Sequence, residues 1–324
     1  MKKPTPMQST LLIRAALATA LAAVGLAAGA QSPTAAPAAR PGMQVVGETV
    51  ADRPSAVYRF DTHVLDSADG KRRYRIQIAV PRKPAPAGGS PALYMLDGNA
   101  ALDALTDADL QALGTQATTP VLVAVGYDVS TRVDVVSRAY DYTPPTIENG
   151  KLAPTPVVRG REGGGADIFM EFIRTQVKPL ARKQAAIDPA REYLWGHSYG
   201  GLFTLHVLFT QPDAFARYIV GDPSTWWNDG ALEKEWKRFD ARQAAGKRVA
   251  MLVGTKPRDP ARPSPAGAVT NADTSAEPRA TVSDMAYGLR ASGAIASYEA
   301  FPQFGHGEML RASLVRALEI AATP

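Results

Sequence analysis

A serine set between glycines is the strongest candidate for chemistry in this chain of 324 residues. Residues 196–200 read Gly-His-Ser-Tyr-Gly, so Ser198 lies at the centre of a Gly-x-Ser-x-Gly pattern. Between a strand and a helix, this pattern lets the two elements approach closely and exposes the serine hydroxyl. A strand-like run precedes it at 192–195, and an apolar helical stretch begins at Leu202. Ser198 is therefore predicted to be a nucleophile.

A serine hydroxyl needs a base to take its proton, and the chain has 4 histidines. Three of them have other predicted roles. His63 lies on the polar face of an N-terminal strand, and His197 adjoins the nucleophile and is expected to pack. His206 falls on an apolar helix and is expected to be a hydrogen-bonded core residue. His306 lies between two glycines, after a strand-like run at 295–301 and just before the last helix. We predict His306 to be the general base.

The carboxylate that would orient His306 is left open by the sequence. The usual position follows the strand-like run 249–253, where Asp259 is the nearest carboxylate and the first choice. Asp222, which follows the run 218–220, is the second choice. In a third arrangement a backbone carbonyl or a water orients His306, and the site is a dyad. Other carboxylates weighed for this role are Asp273, Glu277 and Glu308.

Acyl transfer through a serine also requires two donors aimed at the oxygen where negative charge develops. One is predicted to be the backbone N–H of Tyr199, which directly follows the nucleophile. The other is predicted in the loop after the strand-like run 92–96, through the backbone N–H of Asn99. The tripeptide Asp-Gly-Asn at 97–99 would also make an ordinary turn.

The N-terminus has the features of a secretory signal peptide. Basic residues are followed by a short apolar run at 15–27 and by Ala-Gly-Ala at 28–30. The apolar run is too short for a membrane span. We expect cleavage after Ala30, a flexible lead-in over residues 31–44 and one α/β domain over residues 45–324. The protein is then expected in the periplasm or outside the cell.

Composition narrows the function classes further. Cysteine is absent, which excludes a thiol nucleophile and a thiolate metal site. The formal net charge of +5 falls to +2 when Lys2, Lys3 and Arg14 are removed with the signal peptide. No cluster of basic residues stands out, so nucleic acid is excluded as a partner. We expect no cofactor, no metal, a small-molecule ester as substrate and a monomer.

Hydrophobic patterning predicts the elements that must position these residues. Alternation at 58–64 and at 74–80, with Asp-Gly between, predicts an N-terminal antiparallel hairpin. The continuous apolar runs that follow suit strands covered on both faces, as in a parallel sheet. Helical spacing over 168–180, with Asp167 as its cap, and over 310–318 supplies covering helices. The fold class is an α/β-hydrolase fold, with a mostly parallel central sheet and helices on both faces.

Several motifs together resemble the putative-esterase family of α/β-hydrolases, and within it the periplasmic siderophore esterases that cut enterobactin and its glucosylated relatives. The similarity covers roughly residues 45–322. The motifs that carry it are 94–99 (YMLDGN), 124–127 (AVGY), 137–144 (SRAYDYTP), 196–203 (GHSYGGLF), 223–227 (PSTWW) and 304–307 (FGHG).

The resemblance implies a cofactor-free esterase with Ser198 and His306 as its catalytic pair. Arg138 matches an arginine that resembles a contact to the anionic catecholate, although a salt bridge to Asp134 or Asp141 is an equal alternative. Trp226 is expected in an aromatic-accepting pocket, with plain packing as the alternative. Many family members carry Glu where this chain has Pro257, and this departure favours Asp259 or a dyad.

Three functions follow from these observations. The first is a siderophore esterase that opens a catecholate trilactone through a seryl acyl-enzyme. The second is an esterase or acyltransferase on feruloyl, acetyl or short acyl esters. The third is a non-catalytic protein of the same fold that binds a siderophore or a glycan.

Overall fold

The computed structural model describes residues 43–148, 150–257 and 281–323. These residues fall in one compact unit. The predicted signal peptide lies outside the described residues, as do most of the lead-in, Asp259, Asp273 and Glu277. Within the described ranges, no helix is both long enough and apolar enough to cross a bilayer.

The chain enters the sheet through the hairpin that alternation predicts. Strands β1 (Tyr58–Asp66) and β2 (Arg73–Pro81) pair antiparallel, with Tyr58 opposite Pro81 and Asp66 opposite Arg73. Gly70, in the connecting turn, has a φ of 65°, a conformation that glycine adopts without a steric cost. The next strand in the sheet, β4 (Val121–Tyr127), pairs antiparallel with β2.

Beyond this hairpin, the sheet is parallel. Its order is β1-β2-β4-β3-β7-β8-β9-β10, and every neighbouring pair from β4 to β10 is parallel. The remaining strands are β3 (Ser90–Leu96), β7 (Ile187–His197), β8 (Arg217–Gly221), β9 (Arg248–Gly254) and β10 (Ile295–Phe301), with a separate two-stranded ribbon of β5 (Thr146–Glu148) and β6 (Lys151–Ala153).

Helices cover both faces of the sheet, so the inner parallel strands β3, β4 and β8 are buried on both sides. Along β3, Tyr94 belongs to one core cluster, while Leu93 and Met95 belong to the other. The helices are α1 (Gly98–Ala104), α2 (Asp107–Gly114), α3 (Ser137–Asp141), α4 (Ala166–Phe172), α5 (Lys178–Gln184), α6 (Tyr199–Thr210), α7 (Trp227–Arg238), α8 (Val282–Ala291) and α9 (Met309–Ala322). Buried residues of α1, α2 and α9 pack on one face, and those of α4, α6, α7 and α8 on the other. The predicted α/β-hydrolase fold is confirmed.

Asp167 has a different role from the predicted helix cap. Gly165 is at the N-cap of α4, and the Asp167 carboxylate contacts the buried ring of His206, with Oδ1 3.0 Å from Nε2. On the other side of the ring, Nδ1 lies 2.9 Å from Glu235 Oε1. His206 is therefore the hydrogen-bonded core histidine that its position on an apolar helix predicts.

These two carboxylates make His206 a source of pH-dependent stability. Burial alone would disfavour the imidazolium, but Glu235 and Asp167 outweigh it and raise the pKa of His206 to about 9. The folded-state pKa is thus above the unfolded-state value of about 6.5. The resulting stabilisation is complete below about pH 6.5 and is lost as the pH rises through 9.

We expect His206→Gln to remove this dependence. The free energy of unfolding of the wild type, minus that of the variant, should fall by on the order of 2–3 kcal/mol between pH 6 and pH 10. Urea unfolding of both proteins across this range measures the difference. Parallel curves would show that His206 has the same pKa in the folded and unfolded protein, and they would contradict the raised value.

Candidate active site

Ser198 lies in a strained turn between β7 and α6. Its φ is 60° and its ψ is −115°, a conformation that non-glycine residues rarely adopt. Its N–H donates to Gly221 O at 2.9 Å, which ties the turn to the end of β8. A Cβ at Gly196 would lie 2.3 Å from Gly200 O, so the glycine before the serine allows strand and helix to meet. The turn holds the half-buried Ser198 side chain at the carboxyl edge of the sheet.

His306 reaches Ser198 from the loop after β10. Its Nε2 lies 3.1 Å from Ser198 Oγ, and its Nδ1 lies 2.6 Å from Asp222 Oδ2. A carboxylate can only accept, so Nδ1 carries the proton, and Nε2 is free to accept from the serine hydroxyl. The structure therefore brings the predicted nucleophile and base into direct contact, in the polarity that proton transfer requires.

The carboxylate beside His306 is Asp222, the second choice of the sequence analysis. Asp222 directly follows β8 and has a φ of 40°, and its N–H donates to Leu252 O at 2.8 Å. This left-handed turn directs the carboxylate toward the loop that carries His306. Asp259, the first choice, lies outside the described residues. Glu308 accepts from Gly305 N–H at 2.8 Å, which lowers the pKa of Glu308 and closes the His306 loop.

His197 anchors the loop that carries His306. Its ring is buried, and its Nε2 lies 2.9 Å from the backbone oxygen of His306. Burial, together with the adjacent His306, lowers the pKa of His197 well below its usual value. The ring is therefore neutral, and Nε2–H donates to the carbonyl. His197 packs as predicted, and it also anchors the backbone of the candidate base.

Of the two predicted oxyanion donors, Tyr199 is placed at the nucleophile. It is the first residue of α6, and the first backbone hydrogen bond of that helix is Leu202 N–H to Ser198 O at 2.9 Å. The N–H of Tyr199 therefore has no acceptor within the helix. Asn99, the other predicted donor, has a structural role through its side chain. Its side chain accepts from Tyr127 N–H at 3.1 Å and donates to Tyr127 O at 3.0 Å, which fastens the loop after β3 to β4.

Arg138 forms a salt bridge, as one of its two predicted roles required, but with a partner that was not predicted. Its partner is Asp97, not Asp134 or Asp141: Nε donates to Oδ1 at 2.9 Å and Nη2 to Oδ2 at 2.7 Å. Asp97 is 5% exposed. Burial opposes the charge on the guanidinium, but Asp97 raises the pKa of Arg138 above its ordinary value. Asp97 is 41 residues away in sequence, which is why local spacing gave no signal for the pair.

Arg138 also connects the turn after β3 with the residue that follows the nucleophile. Its guanidinium carbon lies 5.1 Å from the centre of the Tyr199 ring, close enough for a cation–π contact. Asp97, with a φ of 49°, is the residue between β3 and α1, and its N–H donates to Tyr142 Oη at 3.0 Å. The ion pair therefore braces the loop after β3 against the start of α6.

Trp226 lies beside the Tyr199 ring and is partly exposed. The centre of its ring system is 6.0 Å from that of Tyr199, and Arg159 lies 4.2 Å above it. Trp227, by contrast, is 2% exposed and packs in the core. An aromatic and cationic surface thus adjoins the nucleophile turn.

His197, Asp222 and His306 also place potential metal ligands within 4.8 Å of one another. In the structure, His306 Nδ1 is bonded to Asp222, and His197 Nε2 to the His306 carbonyl. A metal ion here would compete with the hydrogen bonds that orient His306.

Comparison with known proteins places this site in a family. The chain matches the family described as Putative esterase over residues 67–288. The apo-salmochelin esterase of Escherichia coli O6:H1 is 37% identical over 281 residues, which cover 86% of this chain and 84% of the relative. The siderophore triacetylfusarinine C esterase of Aspergillus fumigatus is 38% identical over 198 residues, covering 58% and 64%.

A solved structure, described as enterobactin hydrolase IroE in complex with DFP, has a TM-score of 0.69 and 34% identity, and the match covers 85% of this chain and 99% of that one. The siderophore hydrolase EstB from Aspergillus nidulans matches with a TM-score of 0.58 and 27% identity, over 81% and 93% of the two chains. Fold and relatives together define a serine hydrolase. The chain belongs to the putative-esterase family, and it is an esterase.

Substitution by asparagine tests which aspartate, Asp222 or Asp259, orients His306. Asn tolerates a positive φ, so Asp222→Asn keeps the turn after β8 while removing the carboxylate. We expect ester turnover to fall about a hundredfold or more, because the analogous Asp-to-Asn substitution in a Ser-His-Asp triad lowers kcat about ten-thousandfold. Asp259→Asn, the matched control, should leave kcat unchanged. A loss confined to Asp259→Asn would contradict the assignment to Asp222.

Arg138→Gln tests whether the guanidinium is structural. The variant leaves Asp97 buried without its partner, and the free energy of unfolding should fall by about 3 kcal/mol or more. The double variant Arg138→Met with Asp97→Asn removes both charges and should regain most of that loss. Urea unfolding measures all three proteins. If stability is unchanged while KM for the ester rises, Arg138 contacts substrate and does not brace the loops.

Proposed function

We propose that this protein hydrolyses ester or lactone bonds of a catecholate siderophore, with Ser198 as nucleophile, His306 as general base and Asp222 as the carboxylate that orients it. The observation that carries the proposal is the continuous chain of hydrogen bonds from Asp222 through His306 to Ser198, at 2.6 Å and 3.1 Å. Asp222 takes the role that the sequence assigned first to Asp259.

In the first half of the proposed reaction, Ser198 Oγ attacks the ester carbonyl and its proton passes to His306 Nε2. The carbonyl oxygen becomes an oxyanion, which accepts from the N–H of Tyr199 and from a second donor predicted at Asn99. The tetrahedral species collapses, the bond to the leaving alkoxide breaks, and Nε2 returns the proton to that alkoxide. An acyl group is left on Ser198.

In the second half, water replaces the alcohol. The water attacks the acyl carbon and gives a proton to His306 Nε2. The bond between the acyl carbon and Ser198 Oγ then breaks, Oγ takes that proton back from Nε2, and the acid departs. Asp222 accepts from Nδ1–H throughout and stabilises the imidazolium that forms in both halves. Each half therefore uses the same pair of hydrogen bonds.

The siderophore assignment is supported by the relatives and by the surface next to Ser198. The relatives with 37% and 38% identity are named as siderophore esterases. The partly exposed Trp226, which packs beside the buried Tyr199, offers an aromatic surface to catechol rings, and Arg159 supplies positive charge above it. Aromatic rings bearing deprotonated hydroxyls fit such a surface. The family resemblance implies Arg138 and Trp226 as the substrate-facing residues; Trp226 is the better placed of the two, because the Arg138 guanidinium is already paired with Asp97.

A second candidate is an esterase or acyltransferase on feruloyl, acetyl or short acyl esters. The observation that favours it is the exposure of His306, whose side chain is 56% accessible. A base so open to solvent admits small esters and alternative acceptors as readily as a large trilactone. A purely binding function has no use for the proton-transfer chain.

We further propose export of the chain. The N-terminal 30 residues act as a cleaved signal peptide, residues 31–44 as a lead-in, and residues 45–324 as a single domain that works in the periplasm or outside the cell as a monomer. Esters of exported siderophores would be met in that compartment.

The test compares hydrolysis of enterobactin, free and iron-loaded, with that of p-nitrophenyl acetate and methyl ferulate. We expect trilactone cleavage, followed by chromatography of the released acids, to exceed the model esters by orders of magnitude in kcat/KM. Ser198→Ala should abolish it and keep the thermal unfolding midpoint near that of the wild type. If the simple esters are the better substrates, the nucleophile stands and the siderophore assignment fails.

A further inference from the structure

A second buried serine contacts the candidate nucleophile. Ser224 Oγ lies 3.2 Å from Ser198 Oγ, and the residue is 2% exposed. Its backbone N–H donates to Ser198 O at 3.0 Å, and its own carbonyl accepts from Trp227 N–H at 3.2 Å. The Ser224 hydroxyl is thus held against the reacting oxygen by the backbone on both of its sides.

The direction of this hydrogen bond follows from the rest of the chain. Asp222 accepts from His306 Nδ1–H, so Nε2 accepts and the proton of Ser198 must point to it. Ser198 Oγ then has only lone pairs to offer to its other neighbour. The contact at 3.2 Å is therefore made by Ser224 donating its hydrogen to Ser198 Oγ.

We propose that Ser224 is a further catalytic residue, whose hydroxyl donates to Ser198 Oγ and stabilises the charge on that atom when its proton is with His306. This inference rests on the proposed function, because it needs Ser198 to be the nucleophile. Oxygen has two lone pairs, so one forms the bond to the acyl carbon while the other keeps the hydrogen bond to Ser224.

The two halves of the reaction use this donor differently. During attack, Ser224 donates to Oγ while the proton of Oγ passes to His306 Nε2, so the hydrogen bond strengthens as negative charge develops on Oγ. During deacylation, the bond between Oγ and the acyl carbon breaks, and Oγ carries negative charge until Nε2 returns a proton. A hydrogen bond to an oxygen that is becoming charged is stronger than one to a neutral hydroxyl, so Ser224 lowers the barrier to both steps.

Ser224 belongs to the same turn as Asp222, which gives one short segment two roles. Asp222, Pro223 and Ser224 follow β8 directly, and Gly221 O receives the N–H of Ser198. The segment thus presents a carboxylate to the base and a hydroxyl to the nucleophile, and it is fastened to the nucleophile backbone at both ends.

The experiment measures the second-order rate of Ser198 labelling by a fluorophosphonate, together with kcat for p-nitrophenyl acetate. We expect Ser224→Ala to lower both by about tenfold or more, the effect of losing one hydrogen bond to a charged oxygen. Ser224→Thr keeps the hydroxyl and should retain most of both rates. Should Ser224→Ala fail to fold, Ser224→Cys, which has a weak S–H donor, carries the same expectation of loss.

Ser313→Ala is the matched control. Ser313 is also a fully buried serine, and its hydroxyl accepts from Trp195 Nε1 at 3.2 Å, away from Ser198. Its removal should lower the thermal midpoint while leaving the labelling rate within about twofold of the wild type, as expected for a lost structural hydrogen bond.

The outcomes separate the two proposals. If the wild type is not labelled at Ser198, the proposed function itself fails. If the wild type is labelled and Ser224→Ala matches its rates within twofold, or Ser224→Thr falls as far as Ser224→Ala, the role of Ser224 is overturned and the esterase assignment stands.

Discussion

The site depends on hydrogen bonds that connect the carboxyl ends of neighbouring strands. Ser198 follows β7, Asp222 follows β8 and His306 follows β10, and these strands lie in the order β7, β8, β9, β10. The N–H of Ser198 bonds to Gly221 O, and that of Asp222 to Leu252 O. Each bond extends the sheet ladder by one residue beyond the strand. The spacing of the side chains is consequently set by the separation of the strands.

This arrangement places two non-glycine residues in left-handed conformations, with φ values of 60° at Ser198 and 40° at Asp222. Such conformations cost roughly 1–3 kcal/mol each and persist only when the surroundings determine them. The surroundings here are the apolar strands, which are buried on both faces. The packing of the core therefore offsets the backbone strain at Ser198 and Asp222, which orients their side chains at the C-terminal ends of the strands.

How far the sequence predicts the molecule depends on the range of each interaction. The contact between Ser198 and His306 could be predicted because each residue sits in a local pattern, glycine–serine–glycine in one case and a glycine loop before a helix in the other. The hairpin and the parallel sheet are found because burial imposes periodicity. Asp222 ranks second because the usual position of the carboxylate is after the next strand, and no local pattern shows that the turn after β8 directs Asp222 toward His306. The Arg138–Asp97 pair and the Ser198–Ser224 contact join residues 41 and 26 positions apart, and only the folded chain brings them together.

The exposure of the His306 imidazole to solvent affects which product the enzyme forms. His306 is held in place through its backbone carbonyl by His197, while more than half of its side chain faces solvent. An acyl group on Ser198 would therefore be approached from the bulk liquid, where any dissolved hydroxyl compound competes with water for the same base. The partition between free acid and a new ester would then follow the composition of the surroundings, so one active site could act as a hydrolase in dilute medium and as a transferase where an alcohol is abundant.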